Sequence, residues 1–384
     1  MKKTLLFLLI FTFLMTPINV NAENIKPPQI AAKAAIVMDQ KSGRVLYEKN
    51  INEKLPMAST TKIMTLLLAL EYGNLNDIVI VSKRAASVGG SSIWLAPGEK
   101  LSLIDLLYGL MLNSGNDAAT AIAEHIGGSV EKFAEMMNKK AKDIGAYNTN
   151  FVTPSGLDIG INDHYTTAYD LALITRYAFN NYSKFAEIVS TKEKTIPWSG
   201  RDYDRYLRNK NKMLWQYEGG DGVKTGFTNK AGRCLVASAT RDGHRLISVV
   251  LNSGPMWEDS QKILDYSFEK YKPLKIVSKC QVLKTISVIN GKEKYLPLQY
   301  NDDFTLPVSK EEILNIKVEY NIPKSIKAPI GIGEKVGIAK VLLNDKQIVT
   351  IDVVAGKTID ERDYNYNLKT IIKNWINIFQ AENS

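Results

Sequence analysis

The sequence predicts an α/β sandwich with an inserted helical part, followed by a small all-β domain. Strand patterns occur at both ends of the segment 29–275, at 34–39 and again at 222–251, with helical spacing between them. After Ile276, alternation of apolar and polar residues replaces the helical spacing. The chain has 384 residues, which is too long for one core, so two domains are expected.

The first 22 residues have the pattern of a cleavable secretory signal. Lys2 and Lys3 precede a short apolar run, and Val20-Asn21-Ala22 supplies the small residues of a cleavage site. The apolar run falls short of the ~20 residues needed to span a bilayer, which disfavours a transmembrane anchor. The sequence therefore predicts an exported protein whose mature chain begins after Ala22.

Composition narrows the classes of function. The net charge of +9 favours contact with anionic lipids and wall polymers, and no basic run interleaved with aromatic residues indicates nucleic acid. The three histidines lack metal-ligand spacing, which argues against a zinc hydrolase. Cys234 and Cys280 both lie among apolar residues, so we expect two buried thiols on strands, with a disulfide as the alternative.

The first strand, at 34–39, is followed by a turn at 40–43 and a hairpin partner at 45–47. From Ser59 to Tyr72, apolar residues cover most of the surface of a helix, which predicts a buried helix.

The segment 103–177 repeats apolar residues at helical spacing and is expected to be rich in helix. Asp242-Gly243 is a strong hairpin signal between strands at 234–240 and 246–251, and a closing helix is expected at 262–270.

Residues 276–362 are predicted to form the all-β domain, with alternating strands at 316–320 and 349–353. In the last segment, 363–384, apolar residues fall on one helical face, at Leu368, Ile371, Ile372, Trp375, Ile376 and Phe379. This amphipathic helix is expected to lie in a membrane interface, and packing on the β domain or a dimer contact is the alternative.

The tetrad S-T-T-K at 59–62 places a hydroxyl and an amine three residues apart at the predicted start of a helix. Free N–H groups at a helix N-terminus stabilise negative charge on an attacked carbonyl oxygen. Lys62 shares a helical face with Ser59, so a lysine of lowered pKa can activate the serine as its base. Because S-x-x-K also occurs by chance, an N-cap serine with a surface lysine is the alternative.

A second motif, Ser114-Gly115-Asn116, follows one helical pattern and precedes the next. It predicts a tight turn that presents a hydroxyl and an amide. In the catalytic interpretation, Ser114 relays a proton to the leaving amine and Asn116 positions the substrate backbone or the base. A turn with a good cap is the structural alternative.

The third motif, Lys224-Thr225-Gly226, lies on a predicted edge strand and is expected by chance only ~0.1 times in such a chain. Lys224 would add a second cation near Lys62, and Thr225 could bind a carboxylate. Gly226 removes a side chain where substrate approaches the strand, and the N–H of Phe227 could donate to the oxyanion. A strand end with a solvated lysine is the alternative.

In this order the three motifs resemble those of the serine acyl-transferases that include penicillin-binding proteins and class A β-lactamases. The local wording is similar to that of the low-molecular-mass D-alanyl-D-alanine carboxypeptidases at 58–64, 114–118, 151–158, 224–228 and 230–240. The resemblance covers most of 29–270, and the β domain with its terminal helix extends it to nearly the whole chain.

The resemblance implies a β-lactamase/transpeptidase-like domain, an antiparallel sheet with helices on both faces. It implies that Ser59 forms an acyl-enzyme with the penultimate D-alanine of a wall pentapeptide, releases the terminal D-alanine, and is freed by water. β-Lactam antibiotics would acylate the same serine as covalent inhibitors, and neither a cofactor nor a metal is expected. The protein would act at the outer face of the cytoplasmic membrane or in the wall, with residues 364–384 at the membrane surface.

Two departures from the family concern substrate binding. Many relatives carry histidine where this chain has Phe227, and the segment 253–259 lacks the arginine that meets the substrate carboxylate in some relatives. Carboxylate binding is therefore expected from Lys224, Thr225 and Thr228.

Other functions remain open on the sequence. A β-lactamase would need an E-x-x-L-N loop between the second and third motifs, and this chain has none. A D,D-endopeptidase or transpeptidase would use the same residues as a carboxypeptidase. Two alternatives are not enzymes: a non-catalytic wall-binding or penicillin-sensing protein, and an exported adhesion or structural protein. For the second, the order of the three motifs would be a coincidence.

Overall fold

The computed structural model describes residues 25–381, so the secretory signal predicted at 1–22 lies outside the described residues. The strands of the first domain are β1 Ala34–Asp39, β2 Val45–Lys49, β3 Ile78–Ile80, β4 Lys100–Ser102, β5 Glu193–Ile196, β6 Arg205–Arg208, β7 Gly220–Thr228, β8 Gly232–Arg241 and β9 His244–Leu251. Its helices are α1 Lys62–Tyr72, α2 Lys83–Ala86, α3 Leu103–Leu112, α4 Asn116–Gly127, α5 Val130–Ile144, α6 Ala168–Asn181, α7 Ser183–Ser190, α8 Met213–Gln216 and α9 Met256–Lys270.

Both ends of this domain contribute to one antiparallel sheet of order β2-β1-β9-β8-β7. Successive side chains of a strand point to opposite faces, and β1 is apolar on both. Ile36 and Met38 join a core that includes Leu171 of α6, whereas Val37 joins a second core that includes Ile263 of α9. The predicted fold class, an antiparallel sheet with helices on both faces and a helical insertion, is confirmed.

The helical insertion brings the turn between α3 and α4 against α1. Side-chain caps begin three of its helices: the hydroxyls of Ser102, Ser129 and Thr167 accept backbone N–H groups of α3, α5 and α6. These caps are polar breaks in otherwise apolar patterns, which explains why the helix-rich segment divides where it does.

Two helix boundaries differ from the sequence prediction. The helix expected from Ser59 begins as a 3-10 turn, Ala58–Thr61, and becomes α-helical only at Lys62. The hydroxyl of Thr60 donates to the carbonyl of Met57 at 2.6 Å, which is an i to i−3 contact that favours the tighter turn. The closing helix expected at 262–270 begins earlier, because α9 starts at Met256.

The second domain contains β10 Lys272–Val277, β11 Val282–Ile289, β12 Tyr295–Tyr300, β13 Phe304–Val308, β14 Ile316–Asn321, β15 Ser325–Lys327, β16 Lys335–Leu343 and β17 Lys346–Ala355. Six of these strands form a sheet of order β14-β16-β17-β12-β11-β15, and β10 pairs with β13. On β17, Ile351 and Val353 are buried, whereas Thr350 is exposed and Asp352 is partly exposed. This is the alternation that predicted the strand.

The two domains meet where β10 continues from α9 and pairs with β13. The Arg44 guanidinium, from the turn before β2, donates to the carbonyl of Pro307 and forms an ion pair with Glu312. Its carbon lies 5.1 Å from the ring centroid of Tyr271. This arginine therefore connects the sheet of the first domain to the β domain.

The expectation for Cys280 is wrong. Cys234 is buried on β8 as predicted, but Cys280 is exposed and lies in the turn between β10 and β11, with φ +62°. Both cysteines are free thiols. The neighbours of Cys280 belong to different strands, so an apolar local sequence did not imply burial there.

The described residues end in α10 Tyr364–Ala381. Several of its apolar side chains are largely exposed, for example Ile371 at 56% and Ile376 at 51%, so these side chains are not buried in the β domain. No helix within residues 25–381 combines the length and the apolar character that crossing a membrane requires.

Candidate active site

Ser59 lies on the 3-10 turn that leads into α1. The turn is tight because the hydroxyl of Thr61 donates to the carbonyl of Ala58 at 2.8 Å, and Ala58 takes a positive φ of +47°. A non-glycine residue in that region is uncommon and marks a backbone held by its surroundings. The half-buried Ser59 side chain is thereby presented at the start of the helix.

Lys62 is fully buried, and its Nζ has three oxygen partners. They are Ser59 Oγ at 2.9 Å, Asn116 Oδ1 at 2.8 Å and the Ser155 carbonyl oxygen at 2.7 Å. Burial, and next the charge of Lys224, holds the pKa of Lys62 well below its ordinary value.

A neutral lysine amine has two hydrogens and one lone pair. The amide oxygen of Asn116 and the carbonyl of Ser155 only accept hydrogen bonds, so they take the two hydrogens. The remaining lone pair of Lys62 is then directed at the Ser59 hydroxyl, which donates to it. This is the arrangement that a base needs beside a serine nucleophile.

Ser114 lies in the turn between α3 and α4, Asn116 is the first residue of α4, and both are buried. Ser114 has φ +62°, which ends α3 sharply and turns the chain toward α1. The Asn116 amide donates from Nδ2 to the Gly89 carbonyl at 2.8 Å while its oxygen accepts from Lys62. The orientation of the Asn116 side chain is therefore fixed from both ends.

Asp117 holds the loop that flanks this turn. Its buried carboxylate accepts hydrogen bonds from Ser92 Oγ at 2.5 Å and from the backbone N–H groups of Ile93 and Leu95, each at 3.1 Å. These donors, together with the backbone N–H of Ala118 at 2.9 Å, satisfy the carboxylate in its buried position. The sequence analysis did not single out Asp117, although its place directly after the second motif is a signal.

β7 is the edge strand of the sheet and carries the third motif past Ser59. Lys224 is buried, and its Nζ donates to the Thr225 carbonyl at 2.9 Å. Burial, with a contribution from Lys210, lowers the pKa of Lys224 to about 7. A Cβ at Gly226 would lie 2.9 Å from the Ser59 backbone nitrogen, so only glycine lets the strand approach the nucleophile this closely.

The last residues of the motif face the opening of the site. Phe227 has an exposed side chain, at 63%. Thr228 Oγ1 donates to Asp158 Oδ2 at 2.7 Å, which joins β7 to the loop that follows α5. The structure thus brings residues of all three motifs together around Ser59.

His164 is a buried partner of the nucleophile turn that sequence analysis missed. Its Nδ1 accepts the N–H of Val152 at 3.0 Å, so Nε2 carries the proton and donates to Thr61 Oγ1 at 2.8 Å. Burial lowers the pKa of His164 to about 4, so the ring is neutral at neutral pH.

Lys210 is a further cation that the sequence analysis missed. Its Nζ donates to the Asn113 carbonyl at 3.2 Å, beside the turn that carries Ser114, and its charge lowers the pKa of Lys62 and Lys224. Spacing along the chain gives no signal for it.

Comparisons with known proteins agree with this geometry. Residues 21–254 match the family described as D-alanyl-D-alanine carboxypeptidase. The chain belongs to the D-alanyl-D-alanine carboxypeptidase family. Residues 271–361 match the C-terminal domain of penicillin-binding protein 5. The family predicted from the three motifs is confirmed.

Individual D-alanyl-D-alanine carboxypeptidases are similar over most of their length. DacF of Bacillus subtilis (strain 168) is 38% identical over 85% of this chain and 85% of the relative. DacC of Escherichia coli (strain K12) is 34% identical over 91% of this chain and 90% of the relative. The crystal structure of penicillin-binding protein 5 from Haemophilus influenzae superposes with a TM-score of 0.74 at 31% identity, covering 88% of this chain and 99% of that one.

Proposed function

We propose that this D-alanyl-D-alanine carboxypeptidase removes the terminal D-alanine of peptidoglycan stem peptides through an acyl-enzyme on Ser59. The observation that carries the proposal is the environment of Lys62. Its Nζ lies 2.9 Å from Ser59 Oγ, its other partners are acceptors, and its pKa is lowered. A neutral amine in that place can take the serine proton.

In the proposed reaction, Ser59 Oγ attacks the carbonyl carbon of the penultimate D-alanine while its proton passes to Lys62. The backbone N–H groups of Ser59 and Phe227 stabilise the oxyanion. The amide C–N bond then breaks, and the leaving nitrogen takes a proton relayed by Ser114. Water hydrolyses the ester and restores the Ser59 hydroxyl.

Substrate recognition is assigned to the remaining motif residues. Asn116 holds Lys62 and is proposed to hold the substrate backbone, and Gly226 lets β7 lie directly against the turn that carries Ser59. Lys224, Thr225 and Thr228 are proposed to bind the terminal carboxylate, since hydroxyls and a cation are suitable donors for it. For Thr228 this requires that its hydroxyl donate to the substrate in place of Asp158.

The acyl-enzyme is tested by exposing the protein to a penicillin and measuring its intact mass, followed by peptide mapping. We expect one stable adduct, located on Ser59, and no adduct on the Ser59→Ala variant. The Ser129→Ala variant is the matched control. Ser129 also begins an S-x-x-K tetrad, but it caps α5 and is separated in sequence from the tetrad at 59–62. A folded wild-type protein without an adduct would refute the proposal.

The location of the protein is part of the proposal. The secretory signal at 1–22 would deliver the catalytic domain, 29–275, and the β domain, 276–362, outside the cytoplasmic membrane. The exposed apolar face of α10 is then available to lie in the membrane interface, with the lysines of the helix at the lipid headgroups.

Removing residues 364–384 is expected to release the mature protein from lipid vesicles, because the apolar surface of α10 contributes the membrane affinity. Co-sedimentation with anionic vesicles measures the effect. The double variant Ile372→Asn, Ile376→Asn should weaken binding in the same direction, whereas Ile289→Asn, at an exposed site of the β domain, should not. Vesicle binding that survives the deletion would contradict the interfacial role, and a monomer formed from a dimer would indicate a subunit contact instead.

A further inference from the structure

A pocket of about 660 Å³ adjoins the turn that carries Ser114. We call it the basic pocket, and it is lined mainly by Asn113, Tyr206, Arg208, Lys210, Lys212 and Trp215. They come from β6, from the connection between β6 and α8, from α8 itself and from the residue that follows α3. Its volume is within the range of ligand-binding pockets, roughly 300–1,000 Å³.

One cation of the basic pocket, Arg208, is held over an aromatic ring of the lining. Its guanidinium carbon lies 4.8 Å from the Trp215 ring centroid, and Nζ of Lys192, a residue outside the lining, lies 5.3 Å from the same centroid. Such cation–π contacts restrain the side chains without neutralising their charge. Glu193 approaches Arg208 to only 3.7 Å, and both side chains are well exposed, so this ion pair is weak.

The basic pocket communicates electrostatically with the active site. Lys210, on its lining, donates to the Asn113 carbonyl and lowers the pKa of Lys224. A ligand that enters the pocket therefore lies within the field of the catalytic lysines. Tyr206, 59% exposed, leaves an open flat wall for the backbone or side chains of such a ligand.

We propose that the basic pocket binds carboxylates of an acidic wall peptide outside the D-alanyl-D-alanine unit that is cleaved. The planar guanidinium of Arg208 fits a carboxylate with two parallel hydrogen bonds, and the lysines favour further negative charge. The inference rests on the proposed function, because the peptide has to reach Ser59.

Two sources can present this chemistry. The acidic group belongs either to the peptide that Ser59 acylates or to a second peptide joined through the leaving nitrogen. In the second case the same amide C–N bond breaks and the proton relayed by Ser114 goes to the nitrogen of that second peptide. The enzyme would then also open cross-links.

The test compares kcat/KM on three substrates with the full chain and its Arg208→Ala variant. The substrates are diacetyl-lysyl-D-alanyl-D-alanine, a glutamate-containing pentapeptide that ends in D-alanyl-D-alanine, and the cross-linked dimer of that peptide. We expect about a fivefold loss on a glutamate-containing substrate, diminished at high salt, and no change on the tripeptide, whose only carboxylate is that of its terminal D-alanine. A loss on the pentapeptide identifies the acylated peptide as the source, and a loss on the dimer alone identifies the second peptide.

Matched variants separate the inference from general damage. Tyr206→Ala should show the same substrate dependence, whereas Arg201→Ala, which removes an arginine stacked on Trp198 outside the pocket lining, should change no substrate. Equal losses on all substrates, or none on any, would overturn the inference. Penicillin acylation of the wild type is measured in parallel, and its absence would refute the Ser59 mechanism. If acylation occurs but Arg208→Ala changes kcat/KM equally on all three substrates, only the proposed role of the basic pocket is refuted.

Discussion

Replacing Lys62 by methionine is expected to slow acylation of Ser59 by roughly 10³-fold, within the range that loss of a positioned general base produces. Methionine has nearly the length of lysine and suits a buried site, so the domain should remain folded. The cost to stability comes from Asn116 Oδ1 and the Ser155 carbonyl, which lose the amine as donor. Acylation by a penicillin, followed by intact mass against time, measures the rate, and thermal unfolding confirms the fold.

Lys140→Met is the matched control for Lys62→Met. Lys140 is also a buried lysine on a helix of the same domain, but it pairs with Glu71 away from Ser59. Its replacement should reduce stability and leave the acylation rate of the folded protein unchanged. If Lys62→Met acylates within tenfold of the wild type, the base is another group.

The wild-type pH profile gives a second readout of the same base. Only the neutral amine of Lys62 accepts the serine proton, and its lowered pKa keeps it neutral to a lower pH than an ordinary lysine. The acylation rate should therefore be maintained below the ordinary pKa of lysine and should fall only as the pH drops through the lowered pKa. An acylation rate that rises only near the ordinary pKa of lysine would show that the environment does not act on Lys62 as described.

The parts of the fold that sequence predicts are those with a local cause. The β1 strand is read from a short continuous apolar run followed by a turn, and the Asp242-Gly243 hairpin from two residues, so both were predictable. The Ser59–Lys62 contact joins residues three positions apart, which are neighbours in both a 3-10 turn and an α-helical turn. It was therefore predictable although the helix begins as a 3-10 turn.

The missed parts of the site have long-range causes. The carbonyl of Ser155 reaches Lys62 across 93 residues and His164 reaches Thr61 across 103. The role of a backbone carbonyl does not depend on the residue type, so the sequence cannot indicate it. The role of a single histidine cannot be predicted until its partner is known. Cys280 was misplaced for a related reason, since its apolar neighbours lie on different strands of the β domain.

The loop that contains Ser155 supports the nucleophile through its glycine. Gly156 has φ +79°, and a Cβ there would lie 1.9 Å from the Ala58 carbonyl oxygen and 2.6 Å from Thr61 Oγ1. Gly156→Ala therefore combines left-handed backbone strain, ~1–2 kcal/mol, with displacement of the turn that holds Ser59. We expect a loss of unfolding free energy of at least ~3 kcal/mol and acylation slower by ~10²-fold, because small misplacements of reacting groups have effects of that size.

Gly160 separates the two contributions. It lies in the same loop with φ +71°, and a Cβ there meets no atom within 4 Å. Gly160→Ala should thus lose only the ~1–2 kcal/mol of backbone strain and acylate at the wild-type rate. Chemical denaturation gives the stabilities, and penicillin acylation of the folded fractions gives the rates. If the folded fractions of the two variants acylate at equal rates, the contact of Gly156 with the Ala58 carbonyl does not position Ser59. If only Gly156→Ala acylates more slowly than the wild type, this loop sets the geometry of the nucleophile.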